Sequence, residues 1–141
     1  MTLARLGDPR PLPVPTKLAL YLEVVVVYIR ARVTLRRRDV RSALALLRGT
    51  GVDRPGAQVA YAAGARLGQL VTRVLGSLPG DSRCLMMSVV LSTMLARRGV
   101  ESSIVVGVKS GTAFGAHAWV ELEGRPILPP EDWEFERFVA L

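Results

Sequence analysis

Two side chains in this sequence are suited to covalent chemistry, and the chain has one of each: Cys84 and His117. Cys84 follows a Pro-Gly-Asp-Ser loop and opens the apolar run C-L-M-M-S-V-V-L-S-T-M-L-A-R-R. With Asp81 or Ser82 as N-cap, the sulfur falls in the first helical turn. Unpaired backbone N–H groups and the positive end of the helix dipole favour an anion there. Both lower a thiol pKa, and the thiolate is the nucleophile. Arg83 adds positive charge beside it and is a candidate substrate contact. The same N–H groups suit the oxyanion of a tetrahedral intermediate. His117 lies in the alternating stretch A-H-A-W-V-E-L, sharing a strand face with Trp119 and Glu121, while the flanking alanines take the other face. A thiol at a helix start and an imidazole on a following strand are the parts of a nucleophile–base pair. Each has a plain alternative: Cys84 as a small buried hydrophobe, and His117 as an ordinary hydrogen-bonded histidine. Trp119 serves as core or as a wall beside the thiol.

The elements that must position these groups are legible in outline. Residues 1–15 carry Pro9, Pro11, Pro13 and Pro15 and read as an extended arm. Helices are predicted over 16–37 (capped by Thr16), 40–47 (capped by Asp39), 57–75 and 84–98. The last is apolar nearly all round and is expected to be buried and central. It ends at Arg97-Arg98-Gly99. Strands follow over 103–108 and 116–122, then a turn at Glu123-Gly124, a return strand from Arg125 and a short last strand over 138–141. Gly107 inside a strand points to a bulge or a close backbone approach. The whole reads as a single α+β domain: an arm over 1–15, a helical part over 16–80, and a helix and sheet over 81–141.

Composition narrows the classes. The 141 residues are 50% hydrophobic, enough for one core and too apolar for disorder. One cysteine excludes an intrachain disulfide and a four-thiolate zinc site, and one histidine argues against a His-rich metal site. No metal or organic cofactor is expected. The net charge of +7 is almost all arginine, densest at Arg36-Arg37-Arg38. Few aromatics lie nearby to stack on bases, so specific nucleic-acid binding is not expected. The most apolar stretch, 18–29, contains Glu23 and is shorter than the about 20 residues of a bilayer span. It reads as a buried helix. Membrane contact is not expected, surface contact alone staying open, and the chain reads as cytoplasmic.

The pattern C-L-x(9)-L-A-R-R-G-V-E-S-S-I-V-V-G-V followed by A-H-A-W-V-E-L-E-G-R-P resembles the stand-alone leader peptidases of lasso-peptide biosynthesis, which are transglutaminase-like cysteine peptidases. The resemblance covers residues 82–126, about a third of the chain. It implies a papain-like core, with Cys84 as nucleophile and His117 as general base. It implies a substrate, the leader–core junction of a ribosomally made precursor peptide. It also implies two partners, a separate leader-recognition protein and a macrolactam-forming synthetase. The chain departs from the family at the third catalytic position, where an aspartate is expected on the return strand and Pro129 stands. Glu131, with Asp132 as alternative, follows at once and is expected to orient the ring. Glu121 is a weak candidate, about 13 Å from His117 along the strand. The same residues would serve an acyl transferase, and the missing aspartate would equally suit a weak or inactive scaffold.

Overall fold

In a computed structural model the structure describes residues 3–48, 56–77, 83–109, 115–127 and 135–141. Among these are five helices, α1 (Leu3–Gly7), α2 (Val14–Arg37), α3 (Val40–Arg48), α4 (Ala57–Leu75) and α5 (Arg83–Ala96), which pack on one another, with α5 against one antiparallel sheet. Its strands are β1 (Ser103–Lys109), β2 (Gly115–Leu122), β3 (Arg125–Pro126) and β4 (Glu136–Ala140), in the order β3-β2-β1-β4. This is the α+β arrangement expected, with the Cys84 helix in the middle of the core and the His117 strand inside the sheet.

Local chemistry accounts for most of the boundaries. Asp39 caps α3, its carboxylate accepting from the Ser42 amide at 3.1 Å, and hydrogen bonds to Ser42 hold its pKa below the usual value. At the end of α5, Gly99 takes φ 75° and the amides of Gly99 and Val100 donate to Ala96 and Leu95, a Schellman turn that reverses the chain into β1. Glu123 and Gly124 both take positive φ in a two-residue hairpin between β2 and β3. Tyr61 of α4 ties that hairpin down, donating to the Pro126 carbonyl at 2.8 Å, with the Arg125 guanidinium over its ring.

Three expectations are corrected. The stretch read as an extended arm begins with a helix, and its Leu6 is 1% exposed. Arg66 of α4 anchors the residues after that helix, donating to the carbonyls of Asp8 and Arg10 at 2.5 and 2.7 Å. The helix precedes the prolines, which keep residues 8–13 out of any helix, and burial of Leu6 stabilises its docking on α4. Second, α2 starts at Val14 rather than after a Thr16 cap, because Pro15 is tolerated in the first turn, where its missing N–H has no partner to lose. Third, α2 is only half buried. Leu20, Val24, Val27 and Ala31 face the core, while Leu18, Leu22, Val26 and Ile29 face solvent.

One polar tie crosses this core. The Arg98 guanidinium, at the end of α5, donates to both carboxylate oxygens of Glu23 on α2, at 2.9 and 2.5 Å, and to the Met94 carbonyl. Its Nε is buried with no partner among the described residues. Removing one member of such a pair leaves the other charge poorly solvated. Arg98→Met is therefore expected to cost about 2–4 kcal/mol in chemical denaturation, with Glu23→Gln/Arg98→Met recovering part of it.

Candidate active site

Cys84 is the second residue of α5, half-buried against the helical core. Helix α5 packs on β2 and β1, so the sulfur belongs to an element in direct contact with the strand that carries His117. The expected caps, Asp81 and Ser82, lie outside the described residues. Arg83 does not reach toward a substrate position. Its guanidinium donates to the Gly76 carbonyl at 2.5 Å, bridging from the start of α5 to the end of α4.

His117 pairs with Gly107 across β1. β1 begins after the Gly99 turn, so Gly107 and His117 lie toward the strand ends away from that turn. Cys84, at the other end of α5 from Gly99, does so too. The pleat divides β2 as the alternation predicts. Ala118, Val120 and Leu122 join the helical core. His117, Trp119 and Glu121 occupy the opposite face, where the His117 ring stacks on Trp119 at 6.2 Å between centroids and leans on Phe135 at 5.5 Å. Cys84 lies with α5 on the core face and His117 on the opposite face of β2, so the structure does not bring the thiol and the imidazole together.

Behind the imidazole runs a braced row. The Trp119 indole donates to Glu121 at 2.8 Å, and Arg137 of β4 holds the second Glu121 oxygen at 2.9 Å. Glu121 is 4% and Trp119 8% exposed. Glu121 is thus committed to its strand neighbour and to β4, not to the imidazole. The indole lies over Gly107, where β1 also shifts register against β4, so both readings of that glycine, bulge and close approach, hold. Phe135 and Arg137 escaped sequence reasoning. They join the site through the β1–β4 pairing, which no local pattern announces. The expected orienting acids, Glu131 and Asp132, and Pro129 lie outside the described residues.

Burial pushes the His117 pKa below its ordinary 6.5. The ring is then neutral at neutral pH, the form a general base needs. Between the lowered folded value and 6.5 the unfolded chain binds the extra proton. Stability therefore rises with pH in that window and is lost as the pH falls from 6.5 through the folded value. The imidazole is expected to titrate below 6.5 by NMR. Acidification through the window is expected to destabilise the parent chain more than His117→Gln in chemical denaturation. Equal losses would refute the assignment.

A thiol at the start of the central helix, that helix packed on an antiparallel sheet, and an imidazole on the adjoining strand also agree with what family comparison finds. Residues 25–139 match the Transglutaminase-like superfamily. The chain belongs to this superfamily. The match runs from within α2, through α5 and β1 to β3, into β4. Comparison with curated proteins and with solved structures returned no match. Transglutaminase-like proteins are generally cysteine peptidases or acyl transferases, and this chain's one thiol and one imidazole suit either reaction.

A cavity of about 790 Å³ opens at the other end of β2, between Tyr61, Glu101, Ser102, Glu123 and Arg125. It is lined from Glu121 onward on β2, about 13 Å along the strand from His117. The sequence carried no sign of it, since three separate segments build its wall.

Among the described residues, no group of three or more His, Cys, Asp or Glu side chains is placed to hold a metal ion.

Proposed function

We propose that this chain is a cysteine peptidase that removes the leader from a ribosomally made precursor peptide. The observation that carries the reading is the placement of the one thiol at the start of the helix that packs on the strand bearing the one imidazole, in a transglutaminase-like domain. The lasso-type substrate rests on the sequence resemblance at residues 82–126.

In this reading His117 takes the Cys84 proton and the thiolate attacks the scissile carbonyl carbon. Backbone amides of the first turn of α5 receive the oxyanion. Collapse breaks the C–N bond, and His117 returns the proton to the leaving amine, which is the new N-terminus of the core peptide. Water, deprotonated by the same ring, then hydrolyses the thioester and releases the leader as a carboxylic acid. In this structure β2 carries the ring on the face turned away from α5, so the start of β2 must leave its pairing with β1 and turn over before sulfur and ring can meet. Glu131, or Asp132, orients it. Phe135, four and three residues further on, packs against that ring. A leader-recognition protein presents the substrate in the cytoplasm, and an ATP-using synthetase closes the freed core.

The test is mass spectrometry of a cognate precursor peptide incubated with the protein. Two fragments that together gain one water support hydrolysis. A fragment joined to an added amine identifies an acyl transferase. Intact precursor, in the presence of the leader-recognition protein, identifies a scaffold, the reading that Pro129 and the open thiol–imidazole pair favour.

A further inference from the structure

The solvent face of α2 is apolar along most of its length. Leu18 is 62%, Leu22 60% and Ile29 54% exposed, and Val14, Val26 and Val33 continue the ridge. Isolated exposed apolar residues are ordinary, but a continuous ridge of this kind marks a surface that is covered in use. At 3.6 residues per turn, Arg30 and Arg37 fall along one side of the ridge and Arg32 and Arg36 along the other. All four are exposed. The helix contains a single acid, Glu23, and Arg98 holds it inward.

We propose that this face of α2 lies on an anionic lipid surface, the ridge entering the acyl boundary and the four guanidinium groups meeting lipid phosphates. Charge decides among the possible covers. A second copy laid along the ridge offers these arginines no acid in either direction, since a parallel copy sets arginine against arginine and an antiparallel one sets arginine against the acid-free N-terminal part of α2. A flat anionic surface meets both rows of arginine at once while the apolar ridge enters its boundary. The arginine stems are long enough to keep their heads at phosphate level while the ridge sinks. The helix is built to lie flat and not to cross, since no described helix is long and apolar enough to span a bilayer. Nothing in this assignment depends on the peptidase reading.

The test is co-sedimentation of the full chain with vesicles of phosphatidylcholine alone and of phosphatidylcholine mixed with phosphatidylglycerol. Binding to the anionic vesicles is expected to be tighter by about tenfold or more, and to weaken with salt. Leu22→Gln/Ile29→Gln is expected to weaken it about tenfold with an unchanged circular dichroism spectrum, because both side chains already face water. Arg30→Glu/Arg36→Glu is expected to remove the lipid preference. If the double glutamine variant misfolds, Leu22→Gln alone carries the test. Equal or absent binding to the two vesicle types overturns the proposal. So does anionic binding that ignores the ridge substitutions, a solution dimer that those substitutions dissociate, or binding to an acidic protein with none to vesicles.

Discussion

Cys84→Ala is expected to abolish precursor cleavage, lowering the rate by about a thousandfold or more, with little change in stability. The magnitude follows from the inventory: the chain has one cysteine, so no second thiol can take over the attack. The small structural effect follows from the site. Cys84 is half-buried in the first turn of α5, and alanine keeps the helix while removing one sulfur. Cys84→Ser separates nucleophilicity from shape, since its hydroxyl is similar in size but far less ionised, and it is expected to be nearly as inactive. Product formation followed by mass spectrometry, beside a thermal melt, reads both quantities. Undiminished cleavage by the alanine variant would remove the thiol from the mechanism.

Gly107→Ala is expected to produce the largest structural effect of any small substitution in the sheet, about 2–3 kcal/mol. A methyl group at 107 would sit 2.7 and 2.8 Å from two Trp119 ring carbons and 3.0 Å from the Glu136 carbonyl oxygen. None of these neighbours gives way cheaply. The indole is tied to Glu121, which Arg137 holds in turn, and Glu136 belongs to the β4 backbone paired with β1. Relief comes by displacing Trp119, and with it the surface on which the His117 ring rests. The variant should therefore lose near-ultraviolet dichroism and shift the His117 titration, besides unfolding at lower denaturant. Trp119→Leu in the Gly107→Ala background empties the contested space and is expected to recover part of the stability. No recovery would place the clash at Glu136 instead.

Much of the local structure was open to reading from the chain itself because its causes are local. Asp39 before an apolar run, Gly99 after two arginines, and Glu123-Gly124 between alternating stretches each impose their own backbone geometry. The alternation in A-H-A-W-V-E-L likewise dictates that His117, Trp119 and Glu121 share a face. The third catalytic position resisted for a different reason. A carboxylate orients an imidazole by its location in space, and the return segment with Pro129, Glu131 and Asp132 carries no periodicity that assigns one.

What the chain determined alone was the set of reactive groups, the type and order of its main elements, and the face each strand residue takes, since these follow from side-chain chemistry and backbone period. What only the tertiary structure decided was which side of α2 is covered, where Leu6 docks, and how Trp119, Glu121 and Arg137 brace the imidazole. Helical spacing shows that a stretch has apolar faces but not which of them meets the core, and a residue such as Arg137 finds its partner only after distant strands have paired.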